Sequence, residues 1–173
     1  MSLEGLVRSR SIVLGLLVGL VGCASSVKLA KVSEGQPMPE LPLTDLAGKP
    51  VSLSSFRGRV VLLDFWATWC EPCKDSLPVY DGFVRELGER GLVVLAVSED
   101  EDRSLAGPFL GSHAPRVTGL HDPGGRTAEQ LSLPAMPTAF VIDRAGSVAL
   151  VHAGFRESEA AGIRARLESA LGP

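Results

Sequence analysis

Apolar residues fall along this chain in two patterns, unbroken runs and helical spacings, with less regular stretches between them. Val60-Val-Leu-Leu-Asp-Phe-Trp-Ala67 is apolar except for Asp64. Its length and valine content predict a strand buried on both faces. Leu92-Val-Val-Leu-Ala-Val97 predicts a second such strand. Between them Leu77, Tyr80, Phe83, Val84 and Leu87 recur at spacings of three and four, which marks one face of a helix from Cys70 to about Leu87. Two buried strands joined by a helix make a βαβ unit with parallel pairing. Thr138 to Asp143 and Ser147 to Ala153, around a turn at Arg144-Ala-Gly146, predict an antiparallel hairpin. A last helix from near Glu157 places Ala160, Ile163, Leu167, Ala170 and Leu171 on one face, and Gly172-Pro173 stops it.

The less regular stretches give shorter elements. Pro37 to Phe56 reads as extended pieces around a turn at Asp45-Leu-Ala-Gly48. Gly107-Pro108 limits the next segment to a short helix ending near His113. Gly119 to Asp122 suits a short strand, Gly124-Gly125 a turn, and Thr127 to Leu131 a short helix. The whole is an α/β domain over residues 37–173, with a mixed central sheet flanked by helices.

A further apolar run, Ile12 to Gly22, has 11 residues and follows Arg8 and Arg10. A bilayer span needs about 20 apolar residues, so this run fits the core of an export signal over residues 1–22. It ends in Leu20-Val21-Gly22-Cys23. This resembles the lipobox of bacterial lipoproteins, which implies cleavage before Cys23, a lipid on that cysteine and attachment to a membrane. Ala24 to about Gln36 has few large apolar residues and reads as a flexible tether. The location expected is the cell envelope, on the periplasmic or extracytoplasmic side of a bacterial membrane.

Composition narrows the function classes. The 173 residues are 45% hydrophobic and 21% charged, which suits one globular domain and excludes a disordered chain. The formal net charge is −3, so no basic surface for nucleic acid is implied. It becomes more negative when Arg8 and Arg10 leave with the signal. Polybasic attraction is therefore not the membrane anchor; acyl chains at Cys23 would be.

Two of the three cysteines lie in Trp69-Cys70-Glu71-Pro72-Cys73, where a buried strand turns into a helix. Free N–H groups and partial positive charge at a helix start stabilise a thiolate. Pro72 has no N–H to lose there. Position favours Cys70 as attacking thiol and Cys73, deeper in the helix, as resolving thiol. Zinc would need two more paired ligands, and His113, His121 and His152 are scattered. A purely structural bridge would close too small a loop to gain much. No cofactor or metal is expected. Glu99-Asp-Glu-Asp102 reads as a cap or a solvated run, Trp69 as a half-exposed cover, and Phe65 and Trp66 as core.

The segment Val61 to Lys74, with Pro78 in the following helix and Met136-Pro137-Thr138 before the hairpin, resembles the thioredoxin fold. The Cys-Glu-Pro-Cys motif, the extra N-terminal hairpin and the lipid anchor are similar to the TlpA/ResA-type exported thiol–disulfide oxidoreductases. The resemblance implies a redox-active Cys70–Cys73 disulfide and a cis bond before Pro137. It implies substrate contacts at Trp69, Glu71, Pro72, Met136 and Pro137, and a role for Asp64 in proton transfer at Cys73. Partners would be protein thiols and disulfides and a membrane thiol-recycling protein, with reduction the favoured direction. Many members have Asn where this chain has Asp64. The cytochrome c maturation members have Glu where it has Ser76, which argues against a dedicated role of that kind. Thiol peroxidase chemistry needs a different cysteine context from that at Thr68, and copper delivery needs three residues between the cysteines. A redox-inactive binding module would leave the motif idle.

Overall fold

The computed structural model describes residues 32–173. The export segment, Cys23 and most of the tether lie outside the described residues. Strands β1 (Leu43–Asp45) and β2 (Pro50–Val51) form the N-terminal hairpin. Then come β3 (Val60–Trp66), helix α1 (Glu71–Leu87), β4 (Leu92–Ser98), α2 (Ala106–His113), β5 (Thr118–His121) and α3 (Arg126–Leu131). Strands β6 (Thr138–Ile142) and β7 (Val148–Ala153) and helix α4 (Ala160–Leu171) complete the domain. The seven strands run in the order β2-β1-β5-β4-β3-β6-β7. Strand β3 pairs parallel with β4 and antiparallel with β6, and every residue in it is buried.

This is the thioredoxin-like arrangement, and the sequence pattern explains it. Successive side chains of β3 point to opposite faces. Val60, Leu62 and Trp66 join Leu77, Tyr80, Leu167 and Leu171 in the layer beneath α1 and α4. Val61, Leu63 and Phe65 join Phe140, Leu131, Met38 and Leu41 on the other face. The β1–β2 turn is set locally: Asp45 accepts the amides of Ala47 and Lys49 at 2.9 and 2.8 Å, and Gly48 supplies the positive φ of 89°. Gly107 and Pro108 do not prevent α2, because both lie in its first turn, where a missing N–H costs nothing.

The tether ends earlier than its composition implies. Residues 33–36 turn against β7: the Gly35 amide donates to the Val148 carbonyl and the Val148 amide to Gln36, each at 2.8 Å. Short polar residues satisfied by a partner strand have no hydrophobic period, so the docking left no pattern to read.

At the pole where β3 and β4 begin, Arg144 binds three carbonyls, those of Gly58 (2.7 Å), Arg90 (3.0 Å) and Leu171 (3.3 Å). Arg90 reaches the Gly172 carbonyl at 2.7 Å. The hairpin turn, the start of β4 and the end of α4 are thereby fastened together.

Leu62 has no solvent exposure and packs in the α1–α4 layer. Leu62→Ala is expected to lower unfolding free energy by ~2–5 kcal/mol, read from urea unfolding. A loss below ~1 kcal/mol would mean the layer refills the gap.

Candidate active site

The two cysteines lie at the junction of β3 and α1. After Trp66 the chain leaves the sheet, and the Cys70 amide donates to the Ala67 carbonyl at 3.1 Å. Cys70 is the N-cap residue of α1, with Glu71 and Pro72 in its first turn. Cys70 and Cys73 form a disulfide with their Cα atoms 5.3 Å apart. Cys73 is fully buried, Cys70 nearly so, and Glu71 and Pro72 are exposed beside them. Glu71 pairs with Lys74 at 2.6 Å on the outer face of the helix. Trp69 stands 65% exposed, a more open position than a half-covered lid.

Asp64 lies on the same face of β3 as Leu62 and Trp66, the face that packs in one layer with both cysteines. It pairs with Ala96 on one side and Ala139 on the other, so no bulky neighbour in the sheet covers it. It is fully buried, and neither carboxyl oxygen has a hydrogen-bond partner among the described residues. Burial raises its pKa well above the usual carboxylate range. Tyr80, on the buried face of α1, also carries a hydroxyl without a partner. Burial, then the Asp64 and Glu159 carboxylates, push its ionisation upward. The helical period marked Tyr80 as core, which it is; its proximity to Asp64 needed the fold.

The Met136–Pro137 bond is cis. Met136 packs against the layer that holds Cys70 and Cys73 and precedes the β6 ladder. The Pro137 carbonyl accepts the Gly154 amide at 2.7 Å, which fixes this turn to the end of β7. Ser76 is buried and donates to the Cys73 carbonyl at 3.2 Å, while Asp75 is exposed. The neighbouring acid thus does not take the direction of residue 76.

The acidic run after β4 divides: Glu101 and Asp102 are exposed as expected, whereas Glu99 and Asp100 are drawn inward. Only Asp102 behaves as a cap, accepting the Ser104 amide at 2.9 Å. Asp100 is buried, accepts the Thr68 hydroxyl at 2.7 Å and the Thr68 amide at 3.1 Å, and takes the Ser98 hydroxyl at 2.9 Å. It holds the loop that delivers Trp69 and Cys70. Glu99 meets Asp122, whose other oxygen accepts the Thr127 and Ala128 amides at the start of α3. Glu99 Oε1 and Asp122 Oδ1 are both buried and otherwise without a partner. A proton held between them would satisfy both. Burial first, then Asp122 and Asp100, raise the Glu99 pKa to about 8. The cue was an acidic run directly beyond a buried strand, but its partners lie just past β5 and on the Thr68 loop. Among the described residues no group of three or more His, Cys, Asp or Glu is placed to hold a metal ion.

The AhpC/TSA family model matches residues 34–151. The thiol–disulfide oxidoreductase ResA of Bacillus thuringiensis subsp. konkukian is 32% identical over 143 residues, covering 80% of this chain and 83% of the relative. The chain belongs to the AhpC/TSA family and is of the ResA type. It is thus a thiol–disulfide oxidoreductase with a thioredoxin-like fold. Among solved structures, a putative thiol:disulfide interchange protein DsbE from Chlorobium tepidum superposes with a TM-score of 0.76 at 36% identity. It covers 82% of this chain and 99% of that one. The exposed lipoprotein thioredoxin Etrx1 of Streptococcus pneumoniae gives 0.61 at 30% identity, covering 74% of this chain and 98% of its own. In this ResA-type chain the cysteine pair, the Asp64 carboxyl and the cis-proline turn all border one packed layer.

Because the folded pKa of Glu99 lies above its ordinary value, the unfolded chain ionises first as pH rises. The group therefore costs stability progressively between about pH 4.5 and 8. Glu99→Gln keeps a donor toward Asp122 and removes the titration. Its urea midpoint is expected to fall less than the wild-type midpoint between pH 5 and pH 8. Parallel declines would show that Glu99 does not titrate between those pH values.

Proposed function

We propose that the protein is an exported, lipid-anchored reductant of protein disulfides. The observation that carries the mechanism is an unpartnered, desolvated Asp64 carboxyl on the sheet face that packs with Cys73. In the reduced enzyme the helix start favours the Cys70 thiolate. That thiolate attacks a substrate disulfide; one Cys70–substrate bond forms, the substrate bond breaks, and one substrate sulfur leaves as thiolate. Asp64, whose neutral form burial favours, first releases its proton; its carboxylate then takes the Cys73 proton as Cys73 attacks the Cys70 sulfur. The mixed disulfide breaks and the second substrate thiolate leaves. The substrate gains two electrons, and the Cys70–Cys73 disulfide is the oxidised product.

Trp69, Glu71, Pro72, Met136 and the cis-Pro137 turn frame the approach to Cys70 in this reading. An extended substrate segment would pair with the Met136 backbone by strand addition. The cycle closes when a membrane thiol-recycling partner reduces the pair again. Export rests on the Ile12–Gly22 run, and anchoring on Cys23. The likeness to an exposed lipoprotein thioredoxin supports both.

Insulin reduction by the full-length protein in detergent tests the activity, and the Cys70–Cys73 reduction potential tests the direction. A potential more oxidising than about −120 mV, the DsbA value, would overturn the reductant assignment. Asp64→Asn should slow release of substrate from a Cys70 mixed disulfide by about 10- to 100-fold, with the first attack less affected. Release at the wild-type rate from pH 6 to 9 would leave Asp64 a structural residue. Intact mass of membrane-extracted protein should give an acylated N-terminus at Cys23; a different terminus without lipid mass would refute the anchor.

A further inference from the structure

Beside the cysteine pair lies a groove of about 410 Å³ between the Thr68–Trp69 loop and the turn that leads into α2. Its apolar walls are Trp69 and Leu105, 65% and 47% exposed, the large hydrophobic side chains that stand open to solvent among the described residues. Its rim is acidic. Glu101 and Asp102 are exposed, Glu99 is half-buried, and the buried Asp100 is tied to Thr68 and Ser98. The cation on the same turn, Arg103, does not neutralise them: its guanidinium lies over Gly48, on the N-terminal hairpin. The groove adjoins Trp69, the residue next to Cys70.

An acidic rim repels an acidic segment and leaves a purely apolar one unpaired with the charges. A lysine or arginine side chain fits both parts. Its methylene stem covers apolar surface while its head stays at the polar edge. A cation over the face of a tryptophan gains further attraction. We propose that this groove is a substrate subsite that takes a lysine or arginine of the disulfide-bearing protein, about two to four residues from the cysteine attacked by Cys70. The assignment rests on the proposed reduction of protein disulfides and narrows its substrate class to segments with a cation near the cysteine. Glu101 and Asp102 are specificity-determining residues in this reading. Burial and the neighbouring carboxylates keep Glu99 mostly protonated near neutral pH, so the exposed pair supplies the charge.

The test compares two synthetic peptides, each with one internal disulfide, that differ only in carrying lysine or norleucine three residues from a cysteine. Norleucine keeps the stem and removes the charge. Full-length protein in detergent, reduced beforehand, is mixed with each peptide at low salt, and the rate of Cys70–Cys73 oxidation is followed by tryptophan fluorescence. The lysine peptide should react about tenfold faster, equivalent to ~1.4 kcal/mol. The ratio should fall toward one in the Glu101→Gln/Asp102→Asn double variant, and also at high salt. Equal rates for the two peptides, or a faster norleucine peptide, would overturn the subsite. So would a concentration-dependent dimer that Leu105→Ser abolishes, because the groove would then hold a second copy. Failure to reduce insulin and both peptides would instead strike the proposed function on which the subsite rests.

Discussion

Strand β3 has water on neither face, so every polar group it carries must be answered from within the protein. Its backbone is answered by β4 and β6 over nearly its whole length. The Asp64 side chain is not. An isolated carboxylate in such a layer is disfavoured, so burial shifts Asp64 toward its neutral form. The chain therefore sets a titratable carboxyl on the sheet face that packs with its two cysteines. Much of the surrounding construction follows from keeping that strand dry: α1 and α4 cover one face, and the N-terminal segment with Leu131 covers the other.

The same strand has to lead into the cysteine pair, which sets a second requirement. A loop leaving a buried strand takes unsatisfied amides with it. Asp100 answers the Thr68 amide and hydroxyl, and the Trp66 carbonyl accepts the Glu99 amide at 2.8 Å. The end of β4 thus holds the end of β3. Acids that look like a solvated run are in this way part of the support under Cys70.

What the sequence reveals unaided divides along physical lines. Strands β3, β4 and β6 and helices α1 and α4 follow from spacing, because each must turn an apolar face to the core whatever its partners are. The Cys70–Cys73 pair was legible for a similar reason, since two thiols at a strand–helix junction carry their chemistry locally. Asp64 stood out as one acid in an apolar run. Asp100, the Glu99–Asp122 pair and the docking of residues 33–36 had no such local mark. Their meaning depends on which distant segment the sheet order brings beside them. Tyr80 fell between the two: its burial was periodic, but its nearness to a carboxyl was not.

The latch formed by Arg144 and Arg90 bears on how the molecule can be handled. It gathers the end of α4 at the edge of the sheet where β3 and β4 begin, and the thiols lie beyond the edge where β3 ends. Seven residues of strand span roughly 23 Å. A fluorophore, a surface linker or an electrode attachment placed after Leu171 would therefore sit at the far pole from the chemistry. It would leave the approach to Cys70 open while reporting on the same rigid body.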